Sequence, residues 1–264
     1  MTLTDQVVAS FGGAASPRFA EIMTSLVRHL HAFIGEVRLT EAEWAAAIDF
    51  LTRTGQQCDD RRQEFILLSD VLGASMAVID VNHPTGGTAT ESTVLGPFFV
   101  PGAPEFAAGE DISAGAPGTP CHFSGTVRSP AGDPVPDAEI DVWQSDETGH
   151  YDVQYPDLDQ PRGRARLRTD ASGAYSFSSV RPESYPIPHD GPVGDLLKAA
   201  GRGPMRPAHI HFKITAPGFR TLVTHIFVAG DPHLGSDAVF GVKDALITGF
   251  DGDRASFDFT LARS

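Results

Sequence analysis

The amino-acid sequence predicts an α+β fold, in which an N-terminal helical domain, residues 1–90, is followed by an antiparallel β-sandwich, residues 91–264. Three observations support this prediction. Up to residue 82, apolar residues recur at intervals of three and four, which is the spacing of an amphipathic helix. Beyond residue 120, short stretches alternate apolar and polar residues, as half-buried strands do. Between these two regions the chain is rich in Gly and Pro.

Three helices are predicted in the N-terminal domain. The Ser-Pro pair at 16–17 marks a helix start, because Ser caps free N–H groups and Pro fits the first helical position. A second helix begins at Thr40, where Glu43 completes a capping box. A third is predicted to run unbroken from near Asp59 to residue 82. This third helix is very apolar for a small helical layer, so we expect part of its surface to pack on the second domain or on a second subunit.

Seven short strands are predicted after the connector, separated by turns that contain Gly, Pro or Asp. The predicted strands cover residues 121–129, 138–146, 165–170, 174–180, 208–216, 221–229 and 256–262. Their number and alternation favour a sandwich of two sheets. Similar turns occur in prealbumin-like sandwich modules that have no catalytic function. A non-catalytic binding module is therefore an open alternative, and it predicts that no metal-ligating side chains converge.

Composition limits the partners and the location of the protein. The 264 residues carry a net charge of −14, which argues against nucleic acid and anionic membrane surfaces as partners. No apolar run approaches the ~20 residues of a membrane span, and no secretory signal precedes the first helix. The two cysteines, Cys58 and Cys121, are too few for a disulfide framework or a Cys-based zinc site. The sequence predicts a cytoplasmic protein with free thiols.

His209 and His211 are the first candidates for metal ligands. They are two residues apart on a predicted strand, so their side chains share one face of the sheet. Histidine is the commonest metal ligand, although a His-x-His pair also occurs on solvated strand faces. Arg206 adds a permanent positive charge just before the strand. If the next strand pairs as a hairpin, His225 reaches the same face.

The four tyrosines occupy different kinds of sequence. Tyr175 alternates with Phe177 and is most simply a core residue, and Tyr155 lies in a polar loop. Tyr151 and Tyr185 lie in loops next to predicted strands, where functional residues on rigid scaffolds are usually placed.

Six segments, taken together and in order, resemble the intradiol catechol dioxygenases. They are ESTVLGPFF at 91–99, DVWQSDETGHY at 141–151, RGR at 162–164, SYPIP at 184–188, RPAHIHF at 206–212 and THIFVAGD at 224–231. The helical N-terminal region fits the catechol and hydroxyquinol branch of this family. The resemblance implies a homodimer joined through the helical domains, and it is compatible with a lipid bound at that interface.

The resemblance also implies one non-haem Fe(III) per subunit and no organic cofactor, with Tyr151, Tyr185, His209 and His211 as the ligands. A phenol with a pKa near ~10 ionises at neutral pH only beside a strong cation, and a Tyr and His donor set favours iron over zinc.

In the family, a catecholic substrate and O2 react so that the ring opens between its two hydroxyl-bearing carbons. The implied catalytic residues are Tyr185, which leaves the metal and accepts a proton, Arg206, which stabilises developing negative charge, and His225. The last stands where catechol enzymes of the family commonly have Gln, and we expect it to hydrogen-bond near the metal.

The resemblance further implies a substrate pocket formed by several segments. Its expected residues are Leu67, Asp70, Val94, Leu95, Gly96, Pro97, Phe98, Ile187, Pro188, Arg206 and Val239. A carboxylate at Asp70 is costly in such an apolar stretch unless it has a partner. A third ring hydroxyl would supply that partner, whereas Asp70 on an amphipathic helix could also face solvent. We therefore expect hydroxyquinol as substrate and 3-hydroxy-cis,cis-muconate (maleylacetate) as product, with catechol or chlorocatechol 1,2-cleavage as the alternative.

Overall fold

The computed structural model describes residues 1–60 and 62–264. The chain divides into two compact units, Met1–Gln56 and Gln57–Ser264. Within the described residues, no helix combines the length and the apolar character needed to cross a membrane. A domain division at residue 90 stays a prediction from the sequence.

The first unit consists of three helices, α1 (Leu3–Ser10), α2 (Pro17–Val37) and α3 (Glu41–Gln56). Both predicted helix starts are confirmed. Ser16 Oγ accepts a hydrogen bond from the backbone N–H of Phe19, as an N-cap does. The Thr40 hydroxyl accepts from the Glu43 N–H, and the Glu43 carboxylate accepts from the Thr40 N–H. This reciprocal pair is the predicted capping box.

Large apolar side chains on α2 and α3 remain about half exposed. Ten of them are between 38% and 57% exposed: Phe19, Ile22, Leu26, Leu30, Phe33, Ile34, Val37, Trp44, Ile48 and Leu51. An apolar surface of this extent is rare on a soluble monomer. We call these ten side chains the apolar face of the helical unit.

The prediction of one long third helix was wrong, because the chain forms two shorter helices there. They are α4 (Glu64–Val71) and α5 (Ala74–Asn82). Gly73 separates them with a φ of +71°, in the left-handed region that residues with a Cβ rarely adopt. The periodic apolar pattern continues across this break, so the pattern alone did not reveal it.

The second unit is completed by eleven strands and one helix within the described residues. The strands are β1 (Pro120–Arg128), β2 (Glu139–Gln144), β3 (Arg164–Arg168), β4 (Ala174–Val180), β5 (Tyr185–Pro186), β6 (Met205–Arg206), β7 (His209–Thr215), β8 (Leu222–Val228), β9 (Ile247–Thr248), β10 (Arg254–Ser256) and β11 (Phe259–Thr260). The helix is α6 (Pro192–Ala199).

Two main sheets form the predicted sandwich. In one sheet β1 pairs antiparallel with β4 and parallel with β10 and β11. The other has the order β3-β2-β7-β8-β9, with antiparallel pairing except between β8 and β9. The predicted strand at 256–262 is interrupted, because the Asp258 side chain accepts the hydrogen bond of the Thr126 N–H.

The hydrophobic core lies between these two sheets. Phe123 and Phe177 from the first sheet approach Phe212 of β7, with ring centroids 5.7 Å and 6.4 Å away. Because side chains alternate along a strand, burying Ile210, Phe212 and Ile214 in this core places His209 and His211 on the opposite face of the five-stranded sheet.

Candidate metal centre

Three histidines lie together on the outer face of the five-stranded sheet. His211 of β7 is directly opposite His225 of β8, and His209 precedes His211 by two residues on β7. All three side chains are buried, with exposures of 0–1%, so the alternative of a solvated strand face is wrong. One ligand atom from each histidine lies within 4.8 Å of those of the others. The predicted hairpin between the two strands is confirmed.

Two buried tyrosines bring their phenol oxygens to the same point. Tyr151 follows the turn after β2, and Tyr185 lies in β5, where it pairs with Arg206 of β6. The Tyr151 oxygen is 3.0 Å from His211 Nε2, 3.4 Å from His209 Nε2 and 3.4 Å from the Tyr185 oxygen. The two histidine Nε2 atoms are 3.1 Å apart. The structure thus brings together all four residues that the sequence indicated as ligands.

The spacing of these four atoms fits the binding of one metal ion. An ion with bonds of ~2.0 Å holds neighbouring ligand atoms about 3.3 Å apart in tetrahedral geometry, close to the distances between these donors. The His209 ring is oriented for this task, because its Nδ1 lies 2.7 Å from the Pro207 carbonyl oxygen. A carbonyl only accepts, so Nδ1 carries the proton and Nε2 presents its lone pair.

The His211 ring is held by packing. It stacks on Trp143 with ring centroids 4.7 Å apart and planes 14° apart, and its Nδ1 has no hydrogen-bond partner among the described residues. On another side lies Gly96, whose φ is +78°. A Cβ at this position would lie 3.0 Å from His211 Cε1. Glycine at 96 therefore allows the connector to approach the ring closely.

Burial sets the protonation of the donors. It lowers the pKa of His209, His211 and His225 well below the usual histidine range, so the rings are neutral and can donate lone pairs. Burial also raises the pKa of Tyr151 well above its ordinary value, against the positive charges of Arg206 and Arg164. A phenolate at Tyr151 therefore requires a strong cation at the donor point.

Arg206 is a buried cation beside the donors. Its Nη1 lies 3.2 Å from His209 Nε2, and its Nη2 lies 3.4 Å from His225 Nδ1. A guanidinium only donates, so both of these nitrogens accept from it, and His225 therefore carries its proton on Nε2. A metal ion bound at His209 Nε2 would replace the contact of Arg206 with that atom. The Nε2 of His225 is buried and has no partner within the described residues. It is a hydrogen-bond donor available to a ligand.

Asp237 fixes Arg206 in this position. Its carboxylate accepts from Arg206 Nε at 3.2 Å and from the backbone N–H of Val239 and Gly241 at 3.3 Å and 2.8 Å. Burial disfavours the Arg206 cation, but the charge and hydrogen bond of Asp237, together with the nearby phenols of Tyr185 and Tyr151, hold the pKa of Arg206 above its ordinary value. Sequence analysis missed Asp237, although a lone acid within an apolar stretch could have indicated it.

Several predicted pocket residues pack together. Leu67, Ile187 and Val239 belong to one apolar cluster with Val71 and Leu197.

The Phe98 ring stacks on Tyr151 at a centroid distance of 4.4 Å. Asp70 is half-buried, and burial raises its pKa, against a hydrogen bond from Ser75 and the charge of Arg206. The side chain is thus neither fully buried nor fully exposed to solvent. Val94 is buried, whereas Leu95 is 40% exposed.

Gly96 is partly exposed, and Pro97 and Pro188 are exposed. Within the described residues, neither proline forms a hydrogen bond with a donor tyrosine or histidine side chain, so their role in the pocket stays a prediction.

Comparison with known proteins identifies the family. Residues 94–262 match the family model described as Dioxygenase, and residues 16–90 match the model described as Catechol dioxygenase N terminus. The chain belongs to the intradiol dioxygenase family. The convergence of four donor side chains in this dioxygenase argues against the alternative of a non-catalytic binding module.

Individual relatives of this intradiol dioxygenase agree with that assignment. A hydroxyquinol 1,2-dioxygenase from Rhodococcus opacus is 61% identical over 94% of this chain and 83% of the relative. A 6-chlorohydroxyquinol 1,2-dioxygenase from Cupriavidus pinatubonensis is 53% identical over 98% and 96%. The crystal structure of a hydroxyquinol 1,2-dioxygenase from Pseudomonas putida superposes with a TM-score of 0.96 at 46% identity, covering 99% of this chain and 98% of that chain.

Proposed function

We propose that this intradiol dioxygenase cleaves hydroxyquinol, benzene-1,2,4-triol, between its vicinal hydroxyl-bearing carbons. Both atoms of O2 enter the product, 3-hydroxy-cis,cis-muconate (maleylacetate). The observation that carries the choice of substrate is Asp70, a half-buried carboxylate close enough to Arg206 for the two charges to interact. With a diol this carboxylate keeps only the Ser75 hydrogen bond and the charge of Arg206, whereas the third hydroxyl of hydroxyquinol donates a further hydrogen bond to it. The similarity to hydroxyquinol 1,2-dioxygenases supports the same choice.

The metal we propose is one ferric ion per subunit, held by Tyr151, Tyr185, His209 and His211. Two phenolates are hard anionic donors that suit a highly charged ion, and together with two neutral imidazoles they form a set that differs from those typical of zinc. When bound, the ferric ion supplies a strong Lewis acid that draws electron density from the diol. No organic cofactor is part of the proposal.

The side chains around the donors have distinct proposed roles. Tyr185 accepts a proton from a substrate hydroxyl at its phenol oxygen. It pairs across β5 and β6 with Arg206, so the proton acceptor and the guanidinium are neighbours. Arg206 stabilises negative charge that develops on the ring. His225 donates from Nε2, because Arg206 occupies its Nδ1.

For quaternary structure we propose a homodimer formed through the apolar face of the helical unit. A second copy of this face would cover the half-exposed side chains of α2 and α3. A lipid held between the two copies is the other occupant to be tested. The cytoplasmic location expected from the sequence stays a prediction.

Oxygen uptake with hydroxyquinol, catechol and a chlorocatechol tests the proposed activity. We expect the iron-loaded protein to turn over hydroxyquinol with the highest kcat/KM, and chelation of the metal to abolish uptake until iron is restored. Asp70→Asn is expected to reduce kcat/KM for hydroxyquinol about 10- to 100-fold, the effect of losing one hydrogen bond to a charged group, with little change for catechol.

Asp80→Asn is the matched control for this experiment. Asp80 lies on α5, pairs with Lys243 at 2.7 Å and is 57% exposed, so its change should leave both substrates unaffected. An equal loss for catechol and hydroxyquinol in Asp70→Asn would remove Asp70 from substrate selection. A preference of the unaltered protein for catechol would overturn the choice of hydroxyquinol.

A further inference from the structure

A buried ion pair lies next to Tyr151, one of the proposed metal ligands. Asp152 immediately follows Tyr151 in the chain, and Arg164 is the first residue of β3. Their side chains are only 6% and 3% exposed. Arg164 donates to both carboxylate oxygens of Asp152, from Nε and from Nη2. A bidentate pair of this kind fixes the relative orientation of its two partners.

The same guanidinium also holds the segment that covers Tyr151. Arg164 Nη1 donates to the Phe98 carbonyl oxygen at 3.1 Å, and the Phe98 ring stacks on the Tyr151 ring with planes 23° apart. Arg164 is therefore hydrogen-bonded both to the residue after Tyr151 and to the residue stacked upon it. Changes at Arg164 act on the phenol from two sides.

Asp152 in turn fixes the turn that follows Tyr151. Its carboxylate accepts from the backbone N–H of Val153 at 2.8 Å and of Arg162 at 3.3 Å. The Tyr151 N–H itself donates to the Gln154 side chain at 2.8 Å. The turn that follows Tyr151 is thus held by several hydrogen bonds, and the Asp152 carboxylate accepts two of them.

Arg164 also acts on Tyr151 through its charge, in addition to its hydrogen bonds. Its guanidinium, like that of Arg206, is close enough to the Tyr151 phenol for the charge to act on that group. A buried cation near a phenolate stabilises the electrons of that phenolate.

We propose that the Asp152–Arg164 pair is a positioning element for Tyr151, which orients the phenol toward the metal and sets the energy of its phenolate electrons. The proposal deepens the proposed function and rests on its tyrosinate metal centre. The pair acts through Tyr151, so neither member is assigned contact with substrate. Arg164 belongs to the RGR segment that supports the family resemblance, but the sequence indicated no role for it.

Visible absorption of the iron-loaded protein tests this proposal. A phenolate-to-iron charge-transfer band moves to longer wavelength when the phenolate electrons are less stabilised. We expect this shift in Arg164→Gln, and the opposite shift in Asp152→Asn, which leaves the Arg164 charge uncompensated. The double variant Asp152→Asn/Arg164→Gln removes both charges and is expected to absorb close to the unaltered protein. Iron affinity in Arg164→Gln should fall roughly 10- to 100-fold, as for other residues that support metal ligands.

Arg166→Gln is the matched control. Arg166 lies two residues further along β3 and pairs with Asp141 at 3.3 Å, so its loss should move neither the band nor the iron affinity. If Arg164→Gln does not fold because Asp152 is left unpaired, the short-wavelength shift in Asp152→Asn still tests the proposal.

The outcomes distinguish a failure of the proposed metal centre from a failure of this inference alone. An unaltered iron-loaded protein without a phenolate-to-iron band overturns the proposed metal centre and this inference with it. A normal band that stays in place in every variant, with unchanged iron affinity, overturns the inference alone. Shifts of the same sign in both single variants would also overturn it, because they indicate general disorder at Tyr151.

Discussion

At the scale of single residues, one carboxylate organises the proposed catalytic cation. Asp237 accepts from Arg206 Nε and from two backbone N–H groups of its own loop. This leaves Nη1 and Nη2 of Arg206 directed at His209 and His225. Because the guanidinium is buried, its position depends on this partner and not on solvent.

Asp237→Asn should therefore impair turnover more than binding. The amide cannot match the charge of the carboxylate, and Arg206 loses its fixed position for stabilising charge that develops during the reaction. We expect kcat for hydroxyquinol to fall about 10- to 100-fold, as for other residues that orient a functional group, with a smaller change in KM. Steady-state oxygen uptake measures both constants.

Asp231→Asn is a suitable comparison for that variant. Asp231 accepts from the backbone N–H of Ala208 at 2.9 Å and does not contact the guanidinium of Arg206. A fall confined to KM in Asp237→Asn, or an equal fall in both variants, would contradict a positioning role for Asp237.

At the scale of elements, hydrogen bonds at the end of α4, one residue after Asp70, connect this helix to the loop that contains Asp237. The helix that carries Leu67 and Asp70 ends at Val71, and the chain turns at Gly73. Arg202 also donates to the Val71 carbonyl oxygen at 2.6 Å and to the Ala238 carbonyl oxygen at 2.9 Å. The end of α4 is thus tied to the loop that contains Asp237.

Gly73→Ala should destabilise the second unit. An alanine in the left-handed conformation costs about 1–2 kcal/mol, and its Cβ would touch the Phe240 ring at an ordinary distance of 3.5 Å. Gly73→Asn should cost less, because Asn adopts this conformation more readily. Denaturant unfolding at one fixed protein concentration measures both. Equal costs for the two variants would show that backbone conformation is not what selects glycine here.

At the scale of the whole molecule, the exposed apolar face of the helical unit is the feature that favours association with a partner. Its side chains recur along α2 and α3 and are about half exposed. Burial of apolar surface drives most protein association, and a symmetric dimer buries the same face on both subunits.

Leu30→Glu should convert the proposed dimer to a monomer. Leu30 is 49% exposed within this face, and a buried carboxylate without a partner is strongly unfavourable there. Analytical ultracentrifugation of the purified protein measures the change. Ala131→Glu adds the same charge to an exposed turn of the second unit and should leave the mass unchanged. If the unaltered protein is monomeric and lipid is extracted from it, a lipid and not a second copy covers the apolar face.

Much of the fold could be predicted because its signals are local. The caps at Ser16 and Thr40 and the strand alternation around Ile210 depend on residues only a few positions apart. The break at Gly73 was missed because an apolar pattern with helical spacing continues through a turn. The interruption at Asp258 was missed because its cause is a hydrogen bond to Thr126, which is distant in the sequence.

The sequence by itself determined the kinds of donor available, two histidines on one strand face and two tyrosines in loops beside strands, and hence the chemistry of the site. Only the tertiary structure decided that the four donor atoms meet and that Asp237 and Asp152 hold their arginine partners. The physical reason is that a strand fixes which side chains share its face, whereas convergence across loops depends on how the whole sheet is covered.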